Sequence, residues 1–234
     1  MPAYPAAVPH AYNSEFMVFR GYWMVNWFKR EFAAQEVIAA KAQGIELELL
    51  FEDLLRQSPA GAMGLMLQPF WTPGVKFLGP EAKGSIIGFG DVHTRAHMYR
   101  AIIEGICYAL RQGKTTLEKR NGQPITRLKV AGGGSQSDEI MQITANIFGL
   151  TAERPHTFET SGLGAAINAA VGAGYYRNHA AAVKAMTHQG KVFQPQAEHV
   201  ELYDQLYKQV YSQIYPRLMP LYRSIRKITH YPQY

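Results

Sequence analysis

The chain of 234 residues has a single cysteine, Cys107, and only 18% of its residues are charged. One cysteine excludes an internal disulfide framework and a cysteine-rich metal site, and it suits a reducing compartment. We expect Cys107 to be a small core residue. The 47% of hydrophobic residues excludes a disordered composition and can fill the core of one domain or of two small ones.

The N-terminus lacks a basic segment ahead of an apolar run. Pro2, Pro5 and Pro9 interrupt it, so it does not resemble a secretory signal. The longest weakly polar stretch, 162–176, contains four glycines. It is also shorter than the roughly 20 apolar residues that a bilayer requires. We therefore expect a soluble, cytoplasmic protein with no membrane partner.

Positive charge is in moderate excess, with 24 basic and 18 acidic residues and a net charge of +6. Nucleic-acid-binding proteins concentrate such an excess on one face, whereas here most lysines and arginines are scattered singly. The densest cluster is Arg223, Arg226 and Lys227. The sequence thus predicts no nucleic-acid partner, and RNA binding through this cluster is the least favoured alternative.

Apolar runs alternate with segments of helical periodicity along most of the chain. Alternating strands and helices predict an α/β layer with parallel strands, and the C-terminal third is predicted to be helical. We expect Gly44 to separate two surface helices, and Pro216 and Pro220 to interrupt the last helix. The predicted strands are 16–19, 64–68, 85–89, 125–130 and 150–153, and the predicted helices are 21–32, 35–57, 94–121, 137–148, 161–175, 180–186 and 200–215.

Three consecutive glycines, Gly132, Gly133 and Gly134, lie between a predicted strand and a predicted helix. Backbone N–H groups and the positive end of a helix can hold a phosphate at such a turn, and glycine lets a ligand approach the backbone. The same turn with Ser137 or Asp138 as helix cap is also an ordinary structural element. Both interpretations stay open at this point.

Other motifs for catalysis or metal binding are weak. The sequence has no P-loop, no dinucleotide-binding glycine motif and no nucleophile elbow. His93 and His97, with Asp91 nearby, have a spacing that zinc could use, but a helix cap by Asp91 or Thr94 is the simpler explanation, so we predict no metal site in the chain. Glu104 has no paired acid, which favours a hydrogen-bonded structural carboxylate.

Glycine and alanine are dense in the predicted helix 161–175. Glycine is costly inside a helix, and small residues at this density usually permit close contact with a neighbouring helix or sheet. We therefore expect this helix to be closely packed.

Together these segments resemble the second half of the FGGY family of carbohydrate kinases, which belong to the actin-like ATPase superfamily. The block 84–89, followed by His97-Met98 and 101–104, is similar to the C-terminal signature of that family. The turn 131–137 and the segments 153–155 and 162–166 follow at the expected spacing, and 21–32 looks like a family helix with Trp27 and Arg30. The resemblance covers nearly the whole chain.

This resemblance implies an actin-like, or ribonuclease H-like, ATPase fold: a mixed sheet flanked by helices, with a helical C-terminal extension. It implies ATP and Mg²⁺ as cofactors. The glycine turn would lie against the ATP phosphates, a serine after it would lie near the adenine, and the segment 21–26 would approach the same nucleotide. The residues implied to bind the cofactor are Gly132, Gly133, Gly134, Ser137, Gly21 and Asn26.

In a full member of the family, the sugar site and the catalytic aspartate lie in a first domain. Phosphoryl transfer depends on positioning, on Mg²⁺ and on a group that accepts the hydroxyl proton. No aspartate in this chain has a matching context, so no catalytic residue is assigned. We expect residues 1–234 to be a single C-terminal domain that lacks its first strands and the N-terminal sugar-binding domain, and that self-associates.

The implied reaction is transfer of the ATP γ-phosphate to a sugar hydroxyl, with a pentulose such as ribulose or xylulose as substrate. The isolated chain is expected to be inactive. The alternative is a non-catalytic actin-like module that serves protein association. Nucleotide binding discriminates between the two, because a pure interaction module has no need of an open glycine turn.

Overall fold

The computed structural model describes residues 3–72, 81 and 83–231. In this part of the chain the strands are short and helices predominate. The strands are β1 (Tyr4–Pro5), β2 (Tyr12–Asn13), β3 (Met66–Gln68), β4 (Ser85–Ile87), β5 (Leu128–Lys129), β6 (Ala152–Pro155) and β7 (Gln189–Phe193). The helices are α1 (Trp23–Phe32), α2 (Ala34–Gln43), α3 (Leu47–Gln57), α4 (Arg95–Asn121), α5 (Asp138–Phe148), α6 (Thr160–Gly172), α7 (His179–Met186), α8 (Ala197–Leu206) and α9 (Ser212–Thr229).

The described strands form two hairpins and a mixed three-stranded sheet in the order β5-β6-β7. β5 and β6 are parallel, whereas β6 pairs antiparallel with β7. The hairpins β1-β2 and β3-β4 are also antiparallel. The expected mixed sheet with flanking helices is therefore present, but the expectation of mainly parallel strands is wrong. Three of the four described strand pairs are antiparallel. In two of these no helix of the described residues lies between the strands, as antiparallel pairing allows, whereas α6 and α7 lie between β6 and β7.

The centre of the core is α4, whose long apolar side passes between β3 and α5. Ile102, Ile103 and Ile106 are at most 1% exposed, and Cys107 is fully buried, as predicted. Gly122 ends α4 in the left-handed conformation, and Thr94 caps its beginning. Burial of a continuous helix face thus holds α1, α3, α5 and β3 around α4.

The last helix differs from its prediction. Helical backbone runs from α8 through a π-helical turn, Tyr207–Tyr211, into α9, and Pro216 and Pro220 lie inside α9. Each proline removes one backbone hydrogen bond. Ile214 and Tyr222, on either side of the prolines, are each 5% exposed. Packing of these side chains overrides the local preference for a break, so the helical C-terminal extension is longer than predicted.

Two further predictions are wrong in detail, and one strand was not predicted. Residues 16–19 are described and form no strand, and Phe16 instead packs against Gly113 of α4. β7 was not predicted, although alternating burial in Gln189–Phe193 is the pattern of a strand with one covered face. The helix 47–57 is not confined to the surface, because Phe51, Leu54 and Leu55 enter the core.

The predicted connection between β3 and β4 is present, and Gly44 separates α2 from α3 as expected. Most of that connection, residues 73–80 and 82, lies outside the described residues. Within the described ranges, no helix combines the length and apolar character needed to cross a membrane.

Candidate nucleotide-binding site

The glycine turn directly follows β5 and is closed by its own backbone. Gly132 has φ +87° and ψ −176°, a backbone conformation that residues other than glycine rarely adopt. The Ser135 N–H and Ser135 hydroxyl both donate to the Gly132 carbonyl, at 3.0 and 2.7 Å. These bonds hold the turn in place and leave the edge formed by Gly132 and Gly133 open.

The N-terminus of α5, where the sequence suggested a phosphate, is already occupied by protein groups. The Ser137 hydroxyl accepts from the Ile140 N–H at 3.3 Å, and the Glu52 carboxylate accepts from the Asp138 N–H at 2.9 Å. Asp138 and Glu139 add two negative charges in the first turn. A bound anion is therefore disfavoured at the N-terminus of α5, so the glycine turn is the better position for a phosphate.

A cavity of about 450 Å³ lies between the glycine turn and the beginning of α6. No described side chain caps α6 with a hydrogen bond, and its first turn carries no acid. Two sets of backbone N–H groups, from the turn and from the start of α6, therefore border the same space. The lining residues are Ala131, Gly132, Gly133, Gln136, Phe158, Glu159, Thr160 and Ser161.

The three glycines of the turn have different surroundings. A Cβ placed on Gly132 or Gly133 would meet no atom of the described chain within 4 Å, so there is open space beside both of these residues. A Cβ on Gly134 would lie 2.5 Å from a ring carbon of Tyr22. Gly132 and Gly133 thus leave room for a ligand, whereas Gly134 leaves room for Tyr22.

Tyr22 is the link between the turn and the segment 21–26. Burial raises the pKa of the Tyr22 phenol well above its usual value, so the ring is a neutral packing element. Gly21 is buried and Asn26 is exposed on α1. The described lining of the cavity includes neither residue, nor Ser137. The assignments of Gly21, Asn26 and Ser137 to the cofactor stay predictions, as do those of the turn glycines.

Arg154 is a positioning residue that the sequence analysis named only as part of a segment. Its guanidinium donates to the Ser135 carbonyl and, at 2.6 Å, to the Asp138 carboxylate, so it ties β6 to both ends of the turn. Lys191 and then Arg154 hold the pKa of Asp138 below its usual range. An arginine at the next-to-last position of a strand gives no such signal by itself, because its partners are brought to it by pairing of β5 with β6.

The glycine-rich helix also differs from expectation. A Cβ on Gly162, Gly164 or Gly172 would meet no atom within 4 Å in the described structure, once the helix's own backbone is left out. The prediction of close packing is therefore wrong at these three glycines. There is open space beside each of these glycines, and the first residues of α6 border the cavity.

The histidine pair has a structural role. The His97 ring accepts from the Thr94 N–H at 3.1 Å, which closes a capping box at the start of α4, and His93 bonds the Gly90 backbone. Among the described residues there is no group of three or more His, Cys, Asp or Glu that could hold a metal ion. Glu104 is buried and hydrogen-bonded, as predicted.

The architecture is that of the actin-like ATPase fold. The sequence profile of the FGGY family of carbohydrate kinases, C-terminal domain, matches residues 3–173. The chain therefore belongs to the FGGY family of carbohydrate kinases, through the C-terminal domain of that family.

Relatives and solved structures agree with this. The chain is 32% identical over 183 residues to the xylulose kinase of Lactococcus lactis. The aligned part is 77% of this chain and 34% of that protein. The chain is 35% identical over 182 residues to the glycerol kinase of Verminephrobacter eiseniae, covering 75% and 33% of the two chains. The chain thus spans about a third of the length of these relatives.

The crystal structure of xylulose kinase from Rhodospirillum rubrum matches with a TM-score of 0.69 at 29% identity, covering 86% of this chain and 39% of that one. The structure of Plasmodium falciparum glycerol kinase with ADP matches with a TM-score of 0.63 at 19% identity, covering 82% and 37%. The second likeness supports the fold alone.

Proposed function

We propose that this chain is the nucleotide-binding part of an ATP:sugar phosphotransferase, and that the ATP phosphates lie along Gly132 and Gly133. The observation that carries the proposal is the shared cavity, in which the open edge of the turn faces the uncapped start of α6. Backbone N–H groups from two directions can bind phosphate oxygens there without a lysine. The Glu52 carboxylate occupies the N-terminus of α5 but not the N–H groups of the turn and of α6, which remain free to bind phosphate.

Glu159, whose side chain is a carboxylate, borders the same cavity. A carboxylate repels phosphate but accepts hydrogen bonds from hydroxyl groups. We infer that the ribose of the nucleotide lies toward Glu159 and Phe158, and the phosphates toward the turn. Mg²⁺ commonly binds through one or two carboxylates together with nucleotide phosphates. Since the described residues offer no metal-binding cluster, Mg²⁺ would be held mainly by the phosphates. Its chemistry there is to neutralise charge on the transferred group.

The substrate we propose is a pentulose such as ribulose or xylulose, which receives the γ-phosphate on a hydroxyl. Several relatives are named xylulose kinases, among them those of Lactococcus lactis and Bacillus subtilis. The proton of that hydroxyl must pass to a base, and we assign none in this chain. We propose that an N-terminal domain supplies the base and the sugar site, that the enzyme is cytoplasmic, and that the chain alone forms homo-oligomers.

Substitution of Gly133 by valine tests the nucleotide site. Gly133 borders the cavity and a Cβ there has no described atom within 4 Å, so the added side chain should block the phosphates while leaving the fold intact. We expect Gly133→Val to weaken binding of Mg-ADP at least about tenfold in calorimetric titration, since it removes phosphate access to charge-assisted N–H contacts.

The matched control is Gly172→Val, at the far end of α6, where a Cβ is equally free of described neighbours. It should leave Mg-ADP affinity unchanged. Equal affinity of Gly133→Val and the parent, with both folded, would place the nucleotide elsewhere. An absence of binding by the parent itself would favour the non-catalytic interaction module.

The isolated chain is expected to show no sugar-dependent turnover of ATP, because it contributes no base to the hydroxyl. The measurement is release of ADP with Mg-ATP and a panel of ketoses, with a full-length xylulose kinase as positive control. Sugar-dependent turnover by the chain alone would contradict the assignment of the base to another domain.

A further inference from the structure

The last helix, α9, has an exposed apolar stripe along its C-terminal half. Leu221, Ile225 and Ile228 are four and three residues apart, so they lie on one side of the helix. Their exposed fractions lie between 42% and 76%. A contiguous row of large aliphatic side chains in water is typical of a contact surface.

Positive charge accompanies this stripe, and no negative charge does. α9 has four basic residues and no aspartate or glutamate. Arg223 and Lys227, in the same half of the helix, are exposed and form no ion pair with a described residue. These charges would repel a second α9 placed alongside. The stripe therefore favours a partner surface that is both apolar and acidic.

The outer side of α3 combines these two properties. Leu49 is 53% exposed, and Ile45, directly before the N-cap residue of α3, is 36% exposed. Glu46 lies on the same side as Leu49, three residues earlier, and Glu48 precedes Leu49. Both glutamates are exposed and have no ion-pair partner among the described residues. The opposite side of α3 is buried in the core, so this outer side is the one available for a contact.

The two surfaces do not neutralise each other within one copy of the chain. All described ion pairs of α3 involve Arg56, and none of them reaches α9. The aliphatic side chains of both surfaces also stay exposed. Contact between two copies would cover one surface of each kind, with opposite charges facing each other.

We propose that the chain associates head to tail, with the α9 stripe of one copy lying on the outer side of α3 in a second copy. This inference rests on the self-association proposed above and names the surfaces that produce it. A head-to-tail contact leaves one surface of each kind open at the ends of the assembly, so it continues into longer species or closes into a ring. Because the two surfaces are smaller than a standard interface, we expect a dissociation constant of about 10–100 μM.

The test is sedimentation velocity of the chain over a concentration series that brackets this value. Raising the ionic strength should weaken the association, because salt screens the charge pairs. Ile225→Gln combined with Ile228→Gln, and separately Leu49→Gln, should each weaken it at least about tenfold, since each removes apolar area from one surface. The matched control is Val183→Gln, at an exposed position on α7, and it should associate as the parent does. Circular dichroism verifies that each variant is folded.

A mixture of the two interface variants tests the head-to-tail arrangement directly. The Ile225→Gln/Ile228→Gln variant retains its α3 surface, and Leu49→Gln retains its α9 stripe. An equimolar mixture should therefore form a dimer with nearly the affinity of the parent contact, although neither variant associates alone.

The proposal is overturned if this mixture stays monomeric or if either variant alone associates as the parent does. Association of Leu49→Gln alone would indicate that α9 pairs with itself. A monomeric parent would overturn the proposed self-association as well, whereas associating variants would overturn only the surfaces named here. Binding of Mg-ADP by the same variants should equal that of the parent, so the nucleotide site is tested separately.

Discussion

Replacement of Glu104 by alanine is expected to lower the free energy of unfolding by about 3–5 kcal/mol, the usual cost of removing one partner of a buried ion pair. Glu104 is 3% exposed. One of its oxygens accepts from the Tyr203 hydroxyl at 2.6 Å, from the Gly61 N–H at 3.0 Å and from Arg100 at 3.3 Å. Alanine would leave three buried donors without this acceptor.

Burial is the main cost of placing Glu104 in the core. It raises the pKa of the carboxyl above its usual value, and the contacts with Tyr203, Arg100 and Gly61 only partly oppose that shift. Its stabilising role therefore depends on its partners being present together. The measurement is equilibrium unfolding in urea by circular dichroism.

A control variant for Glu104 is Lys208→Ala. Lys208 and Asp204 form an ion pair at 2.7 Å with the same four-residue spacing as Arg100 and Glu104, but the Lys208 side chain is 67% exposed. Solvent screens such pairs, so we expect a loss below about 1 kcal/mol. A similar small loss in Glu104→Ala would show that the buried network contributes little to stability.

Substitution of Gly105 by alanine is expected to destabilise the fold by about 1–3 kcal/mol, as overpacking of a core usually does. A Cβ at this position would lie 2.3 Å from the Leu67 carbonyl oxygen, which belongs to β3. Backbone cannot move aside as a flexible side chain can. The strand and the helix would have to separate, and β3 would lose its close packing on α4.

The matched control is Gly164→Ala within α6, where the added Cβ meets no described neighbour. Because alanine is the better helix former, this variant should gain about 0.5–1 kcal/mol. The two identical substitutions are thus predicted to have opposite signs in thermal or urea unfolding. A gain in Gly105→Ala would mean that β3 can shift at little cost.

Several elements could be predicted from local sequence because their signals are local. The periodicity of α4 and its end at Gly122, the separation of α2 from α3 at Gly44, and the cap of α5 by Ser137 all depend on residues within a few positions of one another. The family resemblance depended on motifs of the same kind. These predictions are confirmed.

Other features depended on contacts between residues far apart in sequence. The prolines of α9 are tolerated because Ile214 and Tyr222 are buried, and the missed strand β7 is held by pairing with β6. In both cases the stabilising contacts are made with segments that are not neighbours in the chain. Local propensity is a weak guide where tertiary packing supplies more free energy than the local preference costs.

The candidate site shows the same division. The sequence by itself determined the glycine turn, since only glycine adopts the backbone of Gly132 at low cost, and it determined the family through the spacing of its motifs. Only the tertiary structure decided that the Glu52 carboxylate occupies the N-terminus of α5 and that Tyr22 packs against Gly134. It also decided that the open part of the turn faces α6. The physical reason is that hydrogen bonding and steric exclusion depend on distances in space, and folding brings these groups together from segments up to more than a hundred residues apart.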